Sequence, residues 1–220
     1  MTSTTTTRAA IALTGALLLA LTGCTAAAEP QATKAVLPQH TAEELTTAFE
    51  GLDFVPGEYS SIEEMLGSIY PGLAASDASC LSPFGAGWDD AETLDDATLE
   101  FGTSVDRSMT AVVTSTGDAD AAAALVASAE DAVERCADGS ELFTLQGVPV
   151  QTKVEQTEPV IAGTDESIGW RVTGDVGGAP FTLVGITARS NGDAIALVGW
   201  DPETNEDYVP RATQLFVNSI

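Results

Sequence analysis

Three cysteines and a single histidine carry the widest chemistry in this chain, and each stands in a different setting. Cys24 closes Leu21-Thr22-Gly23-Cys24, directly after the apolar run Ala9–Leu21, with only Arg8 charged ahead of it. A short polar start, an apolar stretch and small residues before a cut describe a secretory signal. A thiol at the first position after that cut is the nucleophile that accepts diacylglycerol as a thioether. The stretch Ala9–Gly23 is shorter than the roughly twenty residues a membrane-spanning helix needs. With Cys24 acylated, Cys80 and Cys136 remain, and outside a membrane two spare thiols pair. A bridge closing the segment 80–136 is worth about 4 kcal/mol in the chain-entropy picture. No CxxC suggests a redox couple or a thiolate metal site.

Catalytic patterns are scarce. His40 falls in a stretch that reads as a tether, which removes a His-based triad from the domain and leaves no His-rich metal site. There is no GxSxG, no phosphate-binding glycine loop and no SxxK. A pair of carboxylates could serve a glycosidase-like hydrolysis, but among 33 acidic residues neighbouring carboxylates arise by chance. The acidic run Asp89-Asp90-Ala91-Glu92 with Asp95-Asp96 lacks the spacing and glycine of a calcium loop and reads as a solvated surface. No metal and no cofactor are expected.

Ligand-binding candidates come from aromatic and cationic residues. Each tryptophan follows a glycine: Gly87-Trp88, Gly169-Trp170 and Gly199-Trp200. A glycine beside a large ring lets the ring lie against backbone, in a packed core or in an aromatic-lined groove. Arg171 should point opposite to Trp170 along a strand. It either pairs with one of the many carboxylates or anchors an anionic ligand group; Arg189, nearer a turn, is of the same kind. Trp170, Arg171 and Trp200 are the expected ligand-contacting residues.

The elements that must position these groups follow from periodicity and punctuation. Residues 1–23 are the signal and 24–39 an Ala-, Pro- and Thr-rich flexible tether. Residues 40–220 form one domain, large enough to bury a core. Thr41-Ala42-Glu43-Glu44 and Ser61-Ile62-Glu63-Glu64 are capping boxes that open two short helices. Asp118 caps a long Ala-rich helix from Ala119 to about Ala137, with Leu125, Val126, Ala129, Val133 and Cys136 along one stripe. Strands are predicted over Leu99–Val105, Met109–Ser115, Phe143–Val148, Val150–Thr157, Gly169–Val176, Phe181–Ser190 and Ala194–Trp200. Gly177-Gly178 and Asn191-Gly192 mark hairpins, the latter suited to a type I′ turn. A last helix starts near Pro210 and buries Leu215 and Phe216.

Hairpin-joined strands imply an α+β fold: a twisted antiparallel β-sheet with helices packed mainly on one face. Phe181 and Leu183 should oppose Val184 and Ile186, and Ile195 and Leu197 should oppose Val198 and Trp200. If helices cover one of these apolar faces, the other needs a loop, a partner or an apolar ligand.

The chain carries 33 acidic against 8 basic residues, a formal charge of −25. Such a surface repels nucleic acid, so no nucleic-acid partner is expected.

The lipobox-like start, the tether, the opening Leu37-Pro-x-x-Thr-Ala-Glu-Glu-Leu45, loop Cys80, the Ala-rich helix ending at Cys136 and the Gly169-Trp170-Arg171 strand together resemble actinobacterial lipoproteins of the PknH-like extracellular sensor-domain family. The resemblance covers roughly residues 37–220. It implies a twisted antiparallel sheet whose cleft takes an extracellular ligand. The chain departs from the family in having one cysteine pair and Glu134-Arg135 before Cys136, so no cleft residue is carried over. The expected function is that of a lipid-anchored protein on the extracellular face of the cell membrane. It is non-enzymatic and binds a small or apolar ligand or an envelope protein. The alternatives are a carboxylate-based hydrolase and a passive structural lipoprotein.

Overall fold

A computed structural model describes residues 36–58, 72–75, 94, 96–137, 142–200 and 205–220. Cys24, Cys80, Trp88, the expected helix after Ser61 and the acidic run from Asp89 to Asp95 lie outside the described residues.

The first helix forms where its cap dictates. The Thr41 hydroxyl accepts from the Glu44 backbone N–H and the Glu44 carboxylate accepts from the Thr41 N–H, closing the capping box of α1 (Ala42–Gly51). Its apolar face sends Leu45 and Phe49 into the core. β1 (Phe54–Pro56), β3 (Thr98–Ser104) and β4 (Met109–Ser115) follow, with the short β2 (Leu73–Ala75) between the first two. Asp118 caps α2 (Ala119–Arg135) by accepting from the Asp120 and Ala121 N–H groups. Then come β5 (Phe143–Leu145), β6 (Val148–Val150), β7 (Thr152–Thr157), β8 (Glu166–Val176), β9 (Ala179–Ser190), β10 (Asp193–Gly199) and α3 (Asn205–Val217).

Seven strands make one sheet in the order β1-β3-β4-β10-β9-β8-β7, and β2-β5-β6 make a second. All their pairings are antiparallel. The antiparallel α+β expectation therefore holds. One strand expected over Phe143–Val148 is instead broken at Gln146 and Gly147, whose φ of 51° and 79° turn the chain into β6. The type I′ geometry sits at Gly177 and Gly178, with φ of 65° and 91°. At the Asn191-Gly192 turn only Asn191 has positive φ, so the type I′ turn expected there does not form.

The helices do not share one face. Leu45 and Phe49 of α1 and Val209, Phe216 and Val217 of α3 pack with Ala111, Val113, Ile186, Ala188, Ile195 and Leu197. Phe49, Phe54 and Phe216 meet edge-on there, with centroids 4.9–6.0 Å apart. On the opposite face Val126, Ala129, Ala132 and Val133 of α2 and its C-cap Cys136 pack with Val112, Val154, Ile168, Trp170, Val172 and Leu183. Ala122 and Leu125 of α2 close over Ala194 and Ala196. The expected alternation in β9 and β10 is present, with Leu183 opposite Ile186 and Ile195 and Leu197 opposite Trp200; the Phe181 side chain lies outside the described residues. The expectation of one helix-covered face fails because period-two apolar patterning shows that both faces are buried without naming the element that buries each.

α3 begins five positions before the expected Pro210, which lies inside it. Thr213 lies inward beside Val209, Phe216 and Val217, whereas Leu215, expected in the core, is exposed. Spacings of four and seven from Val209 set the inward stripe, and Leu215 falls outside it.

Candidate functional site

Where the expected ligand residues fall decides what kind of site this domain can hold. Trp170 is 1% exposed and Trp200 9%, both in the core under α2. The glycine that admits the Trp170 ring is Gly185, its register partner on β9, and not the preceding Gly169. A Cβ on Gly185 would stand 2.1 Å from Trp170 Cζ2, a clash with the ring, whereas one on Gly169 would meet Thr157 and Pro159. Successive strand residues point to opposite faces, so the neighbour across the ladder controls a ring's space.

Arg171 does point away from Trp170, as expected, and pairs with Glu206 of α3. Arg189 binds both oxygens of Glu166, at 3.1 and 3.3 Å, and Asp165 at 3.1 Å. Its guanidinium is held charged above its ordinary range, first by the Glu166 hydrogen bond. Both arginines are therefore engaged with carboxylates of the domain. The structure brings Trp170 and Trp200 into one core and places Arg171 on the other face, so the three do not come together.

A different constellation lies where the chain enters the domain. Residues 36–41 run across the end of β4. The Leu37 N–H donates to the Gly117 carbonyl at 3.2 Å, and Gln39 Nε2 donates to the Ser115 carbonyl at 3.1 Å and to the Asp96 carbonyl. Gly117 makes room for this arm, since a Cβ there would stand 3.3 Å from Gln39 Cβ. Residues 37–39, within the segment expected to be tether, thus contact the domain.

His40 belongs to this docked arm, which corrects its assignment to a tether. Its N–H donates to Ser115 Oγ at 2.9 Å, and its Nε2 stands 3.5 Å from Asp193 Oδ2. Asp193 and Ser115 are register partners on β10 and β4. Asp193 is 7% exposed and its Oδ1 has no partner among the described residues. Burial raises its carboxyl above the ordinary range, while the Ser115 hydrogen bond and His40 pull it down.

A serine, a histidine and an aspartate meet here, but in the wrong order for catalysis. In a hydrolytic triad the imidazole stands between the hydroxyl and the carboxylate. Here the carboxylate stands between Ser115 and the imidazole, and Ser115, fully buried, receives only the His40 backbone N–H. Among the described residues this arrangement supplies no base to Ser115, whose side chain is buried. Sequence reasoning missed this cluster because its three members are far apart in the chain: β4–β10 pairing joins Ser115 to Asp193, and the docked arm adds His40.

Beside the cluster, His40, Thr41, Glu43, Glu44, Thr47, Ala48, Ser219 and Ile220 line a cleft of about 560 Å³. Glu44 is held below its ordinary range by its bonds to the Thr41 backbone and hydroxyl. Leu52, Asp53, Phe54, Ser104, Val105, Asp106 and Met109 line a second hollow of about 470 Å³. No group of three metal-binding side chains gathers among the described residues, and none of their helices is long and apolar enough to cross a membrane.

No protein-family model matches this chain, and no curated protein does. Among solved structures it is similar to the crystal structure of the extracellular domain of PknH from Mycobacterium tuberculosis, with a TM-score of 0.48 and 14% identity, over 83% of this chain and 93% of that one. No ligand or residue role is carried across that likeness.

Proposed function

We propose that this chain is a surface lipoprotein, held through a diacylglyceryl thioether on Cys24, whose α+β domain engages an envelope protein rather than an apolar molecule. One observation carries the choice of partner. Among the described residues, helices of the domain pack on both faces of the seven-stranded sheet, which favours a partner over a ligand on an uncovered apolar face. Cys24 after its apolar run supports the address. Two or more acyl chains, at about 0.8 kcal/mol per buried methylene, hold a protein stably at a membrane. Cys136, buried at the C-cap of α2, is assigned to a disulfide with Cys80.

Fractionation tests the address: Cys24→Ser should release the protein from membranes or leave its signal uncut, and unchanged retention would defeat it. Non-reducing peptide mass spectrometry should find Cys80 joined to Cys136; two free thiols would remove the bridge. Native mass spectrometry of protein extracted from its own membrane tests the partner. A stoichiometric complex with another envelope protein is the expected result, and a stoichiometric small molecule would overturn it.

A further inference from the structure

The seven-stranded sheet ends at β7, which pairs with β8 on one side and with no other strand among the described residues. An outer strand points the backbone N–H and C=O of every second residue away from its sheet, a template for another strand. Along β7, Thr152 and Val154 are buried, while Lys153 and Glu155 are exposed. Lys153 and Glu155 stand two positions apart on one face and pair with each other. Lys153 is one of only two lysines in a chain with 33 acidic residues. We propose that β7 pairs antiparallel with β7 of a second copy of this chain, about a two-fold axis at Val154, and so joins two sheets edge to edge.

The order of the charges selects both occupant and register. Paired strands oppose residues whose side chains share a face, so a symmetric antiparallel pair is centred on a residue and not between two. A centre on Lys153 would set two ammonium groups against each other, and a centre on Glu155 would do the same with two carboxylates. A centre on Val154 sets Lys153 of each copy opposite Glu155 of the other, twice in the pair. Directly opposed side chains have Cβ atoms about 4.5–5.5 Å apart, where opposite charges stabilise and like charges destabilise. Exposed charges on an outer strand ordinarily discourage pairing. The run Lys153-Val154-Glu155 is its own complement when reversed, so it opposes mismatched strands and admits a copy of itself. Val154 is buried in the core beneath α2, which fixes the inward side of the strand at the axis.

Two short strands make a small contact, in the class below about 1,200 Å² that serves transient association. Copies anchored to one membrane face gain effective concentration from that confinement, which is where this inference meets the lipoprotein reading. The pairing itself needs no lipid, so its test is separate from that of the anchor.

Sedimentation equilibrium of the full chain in excess density-matched detergent reads the association. At about 0.15 M salt the mutual repulsion of two acidic copies is screened beyond about 8 Å. Wild type should show a reversible monomer–dimer equilibrium. Lys153→Glu and Glu155→Lys should each weaken it about tenfold or more, because each turns both cross-strand pairs into like-charge pairs. An equimolar mixture of the two variants should recover wild-type association, since each then supplies the charge the other lacks. Both side chains are exposed, so circular dichroism should show both variants folded. In a mixture of isotopically light and heavy wild-type chains, zero-length carbodiimide coupling should join Lys153 of one chain to Glu155 of the other. A wild-type monomer, which would leave the edge to a strand of a different protein, would overturn the pairing. So would a dimer that both variants keep, or variants that fail to associate when mixed.

Discussion

Gly185→Ala places a methyl group where the Trp170 ring now lies. Gly185 and Trp170 are register partners on β9 and β8, and a Cβ at 185 would fall among the benzene-ring atoms of the indole. The ring has little room to retreat: Trp170 is 1% exposed and packed beneath α2 with Val126, Ala129 and Val133. If strands and ring share the displacement, the cost is that of overpacking, about 1–3 kcal/mol. If the ring is expelled, the cost approaches a Trp→Ala truncation, about 3–5 kcal/mol. The two regimes meet near about 3 kcal/mol, which for a domain of this size lowers Tm by roughly 6–12 °C. Urea denaturation followed by far-UV circular dichroism is the suitable assay, since Trp88 and Trp200 confuse fluorescence. The decisive control is a double-mutant cycle with Trp170→Leu, in which Gly185→Ala should cost under about 1 kcal/mol, a coupling of about 2 kcal/mol. A single variant within about 0.5 kcal/mol of wild type, typical of surface changes, or a coupling near zero, would refute the ring-on-glycine packing.

Two further outcomes follow from charged groups. The folded-state carboxyl of Asp193 lies above its ordinary value because of burial. Its stabilising contribution is therefore full below the ordinary carboxylate range and is lost as pH rises through the raised value. Asp193→Asn should flatten that slope and leave urea stability at pH 7 equal to or above wild type; a variant less stable at pH 7 would contradict the buried-charge reading. Arg189→Lys keeps the charge but gives up the two-pronged grip on Glu166 and the bond to Asp165. It should cost about 1 kcal/mol in urea denaturation, less at high salt, and no measurable loss would mean that the fork contributes nothing.

Local chemistry made much of the fold legible. The Thr41–Glu44 capping box, the Asp118 cap, the β4 limits Met109–Ser115 and the alternation in β9 and β10 all follow from signals spanning a few residues. The outward turn of Arg171 from Trp170 was equally readable, because the strand period of two leaves no choice. The limits of such signals show in α3, where Pro210 suggested a start and lies instead within the helix. A proline marks where an N–H is missing, and tertiary packing of Val209, Phe216 and Val217 outweighs that loss.

Unaided, the order of residues established the strongly acidic composition and the antiparallel α+β character, because each rests on composition or on signals along one stretch of chain. Only the tertiary structure decided which helix covers which face, and so turned Trp170 and Trp200 from groove candidates into core. It alone drew His40 out of the tether and set it against Ser115 and Asp193. Those outcomes depend on strand pairing between residues far apart in sequence. A buried charge, a ring's resting place and a docked arm are all determined by the neighbour across the sheet, which no local pattern names.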